Sequence, residues 1–300
     1  MTARGEDGGI HSLVRLAMFR TDAVRLAGRI DAFAQHHPMT VTEHVELSQM
    51  LRAAVEETYA AFAEFRRPAL PLDVCTACCV PEEVEKQLRE WPLKRLTVEH
   101  LFEYGDSAKS QVQNPAEVGY FVPRMLELLA QGAEIRHSLA IALDRLGGCP
   151  PGSWTASQQS ALSGFALAYF ALAIRGVDPC RPVLLHDPFE VLLMFDVGGI
   201  AIQPLLAHWL ECDDPMSTEQ FVRQSHWDFW GEHDYSNPFA SDRGEFRQVI
   251  RAWMLDANTR HRFAAKLLSS EFLAIVPTAC GDAHVSFATM VEGVFEHLVR

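Results

Sequence analysis

This sequence offers little from which to build strands. Compact runs of β-branched residues in strict alternation are absent, and almost every interval between glycine or proline breakers has the length of a helix. Positive charge is also short. Lys and Arg number 26 against 39 Asp and Glu, a formal net charge of -13, which repels phosphate backbones and acidic membranes and argues against general nucleic-acid binding. No apolar run is long enough and clean enough to span a bilayer: the run 161–174 is too short, and 183–210 is cut by His186-Asp187-Pro188, Glu190, Asp196 and Gly198-Gly199. The first residues carry no apolar leader segment, so secretion is not expected. A glycine-rich phosphate loop, a G-x-S-x-G elbow, the kinase motif set and H-E-x-x-H are all missing, which removes the motif-encoded forms of those chemistries.

What is present in concentration is sulfur. Seven cysteines are an odd number in a chain too large to need a disulfide framework, so a reducing, cytoplasmic setting is the simpler expectation. Three of them fall within five residues, in Cys75-Thr-Ala-Cys78-Cys79-Val-Pro81-Glu82-Glu83. A C-x-x-C turn directs both side chains to one side, so Cys75, Cys78 and Cys79 can share one soft metal ion, zinc first among them. The second half of a paired zinc signature is missing, because Cys149, Cys180, Cys212 and Cys280 are single and far apart. A fourth ligand would have to come from a distance, from His100 or one of those single cysteines. Two other uses remain open: buried thiols acting as small hydrophobes, and a redox dithiol that never sees metal. Pro81 followed by Glu82 and Glu83 reads as the first turn of a helix, which would set Cys78 and Cys79 before a helix N-terminus, a place that favours thiolate.

The remainder reads as all-α scaffold. Apolar residues recur at helical spacing over 12–35, and Thr40-Val-Thr-Glu43 is a capping box opening a helix to about Phe65. Pro68 and Pro71 force an extended connection into the cysteine element. Further helix starts are expected at Thr97, Asn114-Pro115, Thr155-Ala-Ser-Gln158, Asp187-Pro188, Ser217, Ser241, Asn258 and Asp282. Pro123 is expected to begin the well-formed part of its helix, and 134–146 to form another. The breaker-dense run Gly147-Gly-Cys-Pro-Pro-Gly152 divides the chain into an N-terminal lobe, 12–147, carrying the cysteines, and a C-terminal lobe, 153–300. An irregular array or bundle of about ten helices is the expected fold, with HEAT-like stacking of helix pairs as one form of it, although no fixed repeat period is present.

The stretch 75–132 resembles an uncharacterised bacterial family of hypothetical proteins. The matching residues are Cys75, Cys78, Cys79, Val80, Pro81 and Glu82; then Leu93, Leu96, Thr97, Leu101 and Tyr104; then Phe121, Pro123, Arg124, Leu126, Glu127 and Leu128. Val122 stands where the family pattern has Leu, and Pro81 follows Val80 without the family's spacer residue. The resemblance covers about a fifth of the chain and implies no activity, but it favours a used cysteine element.

Other fragments have structural explanations beside their functional ones. Glu134-Ile-Arg-His137 is a single E-x-x-H where a helical carboxylate site needs two. His186-Asp187 has the form of a helical phosphohydrolase ligand pair, yet Asp187 is explained as an N-cap before Pro188. In His226-Trp-Asp-Phe-Trp-Gly-Glu-His233 a metal cradle of His226, Asp228, Glu232 and His233 competes with a helix end whose Trp227 and Trp230 turn inward. The basic set Arg247, Arg251, Arg260, Arg262 and Lys266 suits either a lobe interface or an anionic partner. The leading expectation is a non-enzymatic, cytoplasmic protein that binds another protein as an adaptor, inhibitor or immunity-type factor. The alternative is a metal-binding or thiol-redox protein centred on Cys75, Cys78 and Cys79.

Overall fold

A computed structural model describes residues 41–69, 71–176, 187–231, 234–277, 279, 281 and 284–300, and every regular element among them is helical. The all-α expectation holds. The helices are α1 (Val41–Ala61), α2 (Glu82–Glu90), α3 (Val98–Asp106), α4 (Pro115–Ala130), α5 (Asp144–Gly147), α6 (Ala156–Ala173) and α7 (Pro188–Val197). After these come α8 (Gln203–Glu211), α9 (Pro215–Asp228), α10 (Gly244–Leu255), α11 (Ala257–Leu267), α12 (Ser270–Ile275) and α13 (Phe287–Val299), with 3-10 turns at Leu93–Arg95, Leu139–Ile141 and Pro238–Ala240. Thirteen α-helices among the described residues exceed the expected ten, because breakers split segments read as single helices. The expected helix over 12–35, the cap at Thr40 and the start at Asp282 lie outside the described residues.

Caps set many boundaries where the sequence places them. Asn114, Thr155 and Asp187 each accept a backbone N–H at the head of α4, α6 and α7. Other expectations change. The segment 134–146 is no single helix: Ser138 is extended, and Arg136 and His137 reach back to the end of α3, to the Gly105 carbonyl and the Asp106 carboxylate. α4 runs through Pro123 without stopping, since only the Gly119 carbonyl loses its partner and the helix is buried on most of its surface. Gly119 is there for space, because a Cβ would lie 2.8 Å from the Phe65 ring. The start expected at Ser217 moves upstream to an Asp214 N-cap with Pro215 as the first helical residue, the one expected at Ser241 moves downstream to Gly244, and the one expected at Asn258 moves upstream to an Asp256 N-cap.

The core forms around α6, whose apolar residues face nearly all directions and which packs against α1, α7 and α8. α1 comes before the Gly147–Gly152 run and α6 after it, and buried residues from both belong to one contiguous apolar cluster. The two glycine pairs make a close backbone crossing. A Cβ on Gly147 would fall 1.8 Å from the Val197 carbonyl oxygen, and Gly199, at φ +73°, turns the chain out of α7. In the C-terminal half Trp209 stacks on Trp253 and Phe221 on Phe263, with ring centroids 5.6 and 3.6 Å apart. α9 packs against α12 and α13 beside them.

Candidate metal centre

The cysteine element is a tight turn pinned at both ends. The Cys75 carbonyl accepts from the N–H groups of Cys79 and Val80 at 3.2 and 3.0 Å, which folds the five residues back on themselves. Buried Leu72 before the turn and buried Val80 after it anchor it to the scaffold. Pro81 then serves as the N-cap of α2, so the helix begins at Glu82, one residue later than the sequence suggests, and Glu82, Glu83 and Glu85 occupy the acidic first turn.

This turn brings the three predicted ligands together. Cys75 Sγ and Cys79 Sγ each lie 3.3 Å from Cys78 Sγ, and all three sulfurs fall within 4.8 Å of one another. Cys75 is half-buried, while Cys78 and Cys79 face solvent. The lowered pKa belongs to Cys75. The Cys78 thiol and the backbone N–H groups of Cys78 and Ala77 point at its sulfur and lower its pKa, whereas Cys78, caught between two sulfurs, is pushed up to about 12. The helix N-terminus therefore matters less here than the N–H groups inside the turn.

Beneath the turn lies a buried polar network that the sequence does not announce. Arg145 is 0% exposed. Its guanidinium donates to the carbonyls of Tyr104 and Asp73 at 2.8 and 3.1 Å, to Gln113 Oε1 at 2.8 Å and to Ser107 Oγ at 3.0 Å, and it stacks on the Tyr104 ring at 4.0 Å. Asp73 is the link to the turn. Its N–H donates to the Glu117 carboxylate, and its own carboxylate accepts from Ser110 N–H, Ser110 Oγ and Gln113 Nε2. Burial raises the pKa of Glu117, opposed by the Asp73 N–H, the Tyr104 hydroxyl and Arg145. On the other flank the Leu72 N–H donates to Glu85 Oε1 at 3.0 Å. Against burial, Arg89 and that N–H hold Glu85 below its usual range. The chain just before Cys75 is thus fixed by two carboxylates and one arginine. The nearest sequence signal for this was a lone Arg145 between Leu143, Leu146 and a glycine pair.

The proposed fourth ligand does not come from His100. Its Nδ1 accepts the Thr97 N–H at 3.2 Å, its Nε2 lies 2.8 Å from Gln87 Oε1, and burial lowers its pKa, so the ring is a neutral cap joining α2 to α3. Cys149 is half-buried, with its thiol pushed up to about 11 by burial and by the nearby Glu117 charge, and Cys212 is buried. Among the described residues no fourth His, Cys, Asp or Glu joins the three sulfurs; Cys180 and Cys280 lie outside them.

The remaining candidates disperse. His137 meets Asp106 on the surface, and Glu134 joins no ligand cluster among the described residues. Asp187 caps α7, and His186, Glu232 and His233 lie outside the described residues. The two tryptophans part company: Trp230 is 4% exposed, but Trp227 is 51% exposed and does not turn inward. Four of the basic set are engaged within their own half, Arg247 with Asp234, Arg262 with Asp213, Arg260 with the Leu298 carbonyl and Lys266 with the carbonyls of Trp209 and Cys212. No helix among the described residues is long and apolar enough to cross a membrane.

No family model, curated protein or solved structure matches the chain. The site must therefore be read from its own chemistry.

Proposed function

We propose that this is a non-enzymatic binding protein whose working element is the trithiol turn, where Cys75, Cys78 and Cys79 hold a soft metal ion of the zinc class and leave one coordination position to an outside ligand. The observation that carries this reading is the sulfur geometry. In a tetrahedral zinc site with Zn–S near 2.3 Å, ligand sulfurs stand about 3.8 Å apart. The two 3.3 Å separations are therefore about half an ångström short of that spacing, which is within side-chain rotation. Because Cys78 and Cys79 face solvent, the fourth position opens outward, where a partner protein's thiol, imidazole or carboxylate can complete it. An adaptor role follows from that opening.

Metal analysis of protein purified without a metal-affinity tag tests the reading. A stoichiometric ion is expected in the parent and lost in Cys78→Ser. Metal-free protein would contradict it. In that outcome, rapid alkylation of Cys75 near neutral pH would favour the thiol-redox use, for which the lowered Cys75 pKa beside Cys78 is the supporting observation.

A further inference from the structure

The sulfurs of the trithiol turn stand closer together than a tetrahedral ion requires. Cys78 Sγ lies 3.3 Å from both Cys75 Sγ and Cys79 Sγ. An ion that keeps a lone pair binds three ligands as a pyramid, because the lone pair takes the fourth direction and presses the bonds toward right angles. With bonds to sulfur of about 2.3 Å, right angles set the sulfurs about 3.3 Å apart. Arsenic(III) is the lone-pair ion whose bonds to sulfur are that short; antimony(III) and lead(II), with longer bonds, would spread the sulfurs further. The third pair, Cys75 and Cys79, lies within 4.8 Å and closes by rotation of the solvent-facing Cys79 side chain. An independent feature agrees with three ligands rather than four. Among the described residues no fourth His, Cys, Asp or Glu joins the sulfurs, the His100 ring is spent on Thr97 and Gln87, and the Cys149 thiol donates to the Arg145 carbonyl. The Cys79 and Val80 N–H groups on the Cys75 carbonyl hold the turn closed, so the three thiols are gathered before any ion arrives.

We propose that Cys75, Cys78 and Cys79 capture trivalent arsenic from arsenous acid in a three-sulfur pyramid that leaves no position for an outside ligand. This rests on the reading that the three sulfurs share one ion, and it adds a second class of ion together with a means of closing the site: with arsenic bound, a partner's ligand has nowhere to coordinate. In the step three S–H and three As–O bonds break, three As–S and three O–H bonds form, and three waters leave. Arsenic stays trivalent and no sulfur is oxidised, so no oxidant or reductant is needed. Sulfur donors select soft ions of this kind. Arsenous acid is uncharged at neutral pH, so the acidic Glu82 and Glu83 beside the turn do not repel it, as they would an oxyanion.

The test titrates the full, reduced, metal-free chain with arsenite and, separately, with Zn2+. Intact-mass measurement should show one arsenic gained and three hydrogens lost per chain, and X-ray absorption at the arsenic edge should show three sulfur neighbours and no oxygen. Cys78→Ser and Cys79→Ser alter solvent-facing side chains and should leave the circular dichroism unchanged. Each should lose one As–S bond, keep an As–O bond in its place and bind arsenic at least about tenfold more weakly. The chain carrying Cys75→Ser, Cys78→Ser and Cys79→Ser together should form no adduct. A parent that forms no adduct, one whose arsenic keeps an oxygen neighbour, or an adduct that survives the triple substitution would each overturn the proposal. The zinc arm separates the two readings. Zinc binding without the arsenic adduct overturns this inference alone, whereas the adduct without zinc binding upholds it and contradicts the zinc reading.

Discussion

Replacing Arg145 by Met keeps the volume of the side chain and removes its charge and all its donors. The guanidinium satisfies the buried carbonyls of Tyr104 and Asp73, together with Gln113 Oε1 and Ser107 Oγ. Ser107 Oγ still approaches the Tyr104 carbonyl, but Gln113 Oε1 loses its donor, even though Gln113 Nε2 still reaches Asp73 and Ser110. The Asp73 carbonyl loses its donor, and Glu117 loses the cation that opposed its burial. Unsatisfied buried acceptors cost about 1–3 kcal/mol each, and removing one side of a buried charge network costs about 3–5 kcal/mol. Release from burying the guanidinium offsets part of this, so a net loss of about 3–4 kcal/mol is expected. Urea unfolding would show it as a lower midpoint at unchanged slope. Amide exchange adds a local readout: the Asp73 N–H, held on Glu117, should exchange much faster, because the strap before Cys75 is no longer fixed. Arg145→Lys should fall between, since an ammonium cannot span the same acceptors. A stability within about 1 kcal/mol of the parent, with Asp73 still protected, would refute the view that this network positions the thiol turn.

Other perturbations test other parts of the account. Gly147→Ala should destabilise by at least about 1–3 kcal/mol, as overpacking does, because its Cβ would strike the Val197 carbonyl, whereas Gly152, at φ +80° with open space around it, should lose only about 1 kcal/mol as Ala in thermal unfolding. Trp230→Ala should cost about 3–5 kcal/mol and Trp227→Ala little, since only the first is buried; equal losses would contradict the assignment. Burial lowers the Lys266 pKa to about 8. A lysine depressed in the folded state binds fewer protons there than in the unfolded chain. Its contribution to stability therefore rises with pH from about 8 toward the ordinary lysine value near 10.4. Subtracting the profile of Lys266→Met should leave that rise, and a flat difference would show that the ammonium stays charged against the carbonyls of Trp209 and Cys212.

Much of the scaffold was legible because helix punctuation is local. Asn114, Thr155 and Asp187 announce helices within four residues of themselves, and folding leaves those hydrogen bonds in place. The segment 134–146 was misread because its helical spacing was real but Arg136 and His137 found better partners on α3, a contact no window of sequence contains. Pro123 was misread for the opposite reason: burial along α4 outweighs one missing hydrogen bond. At the site, the C-x-x-C-C spacing was enough to place three sulfurs together. The network that holds them was not legible, because Asp73, Tyr104, Gln113, Glu117 and Arg145 lie up to 72 residues apart and meet only in the fold. His100 shows the limit from the other side, since a histidine near a cysteine turn is a ligand by type and a cap by position.

The central claim is that the three sulfurs act together on one ion, and cobalt substitution tests it most directly. Metal-free, reduced protein titrated with Co2+ should develop the thiolate-to-cobalt charge-transfer absorption of a sulfur-rich tetrahedral site, saturating at one ion per chain and bleaching when Zn2+ is added. Cys75→Ser, Cys78→Ser and Cys79→Ser should each lower the band, in proportion to the thiolate lost. If no such band forms, or if it survives all three substitutions, then the cysteines do not share a metal and the turn is only part of the packing.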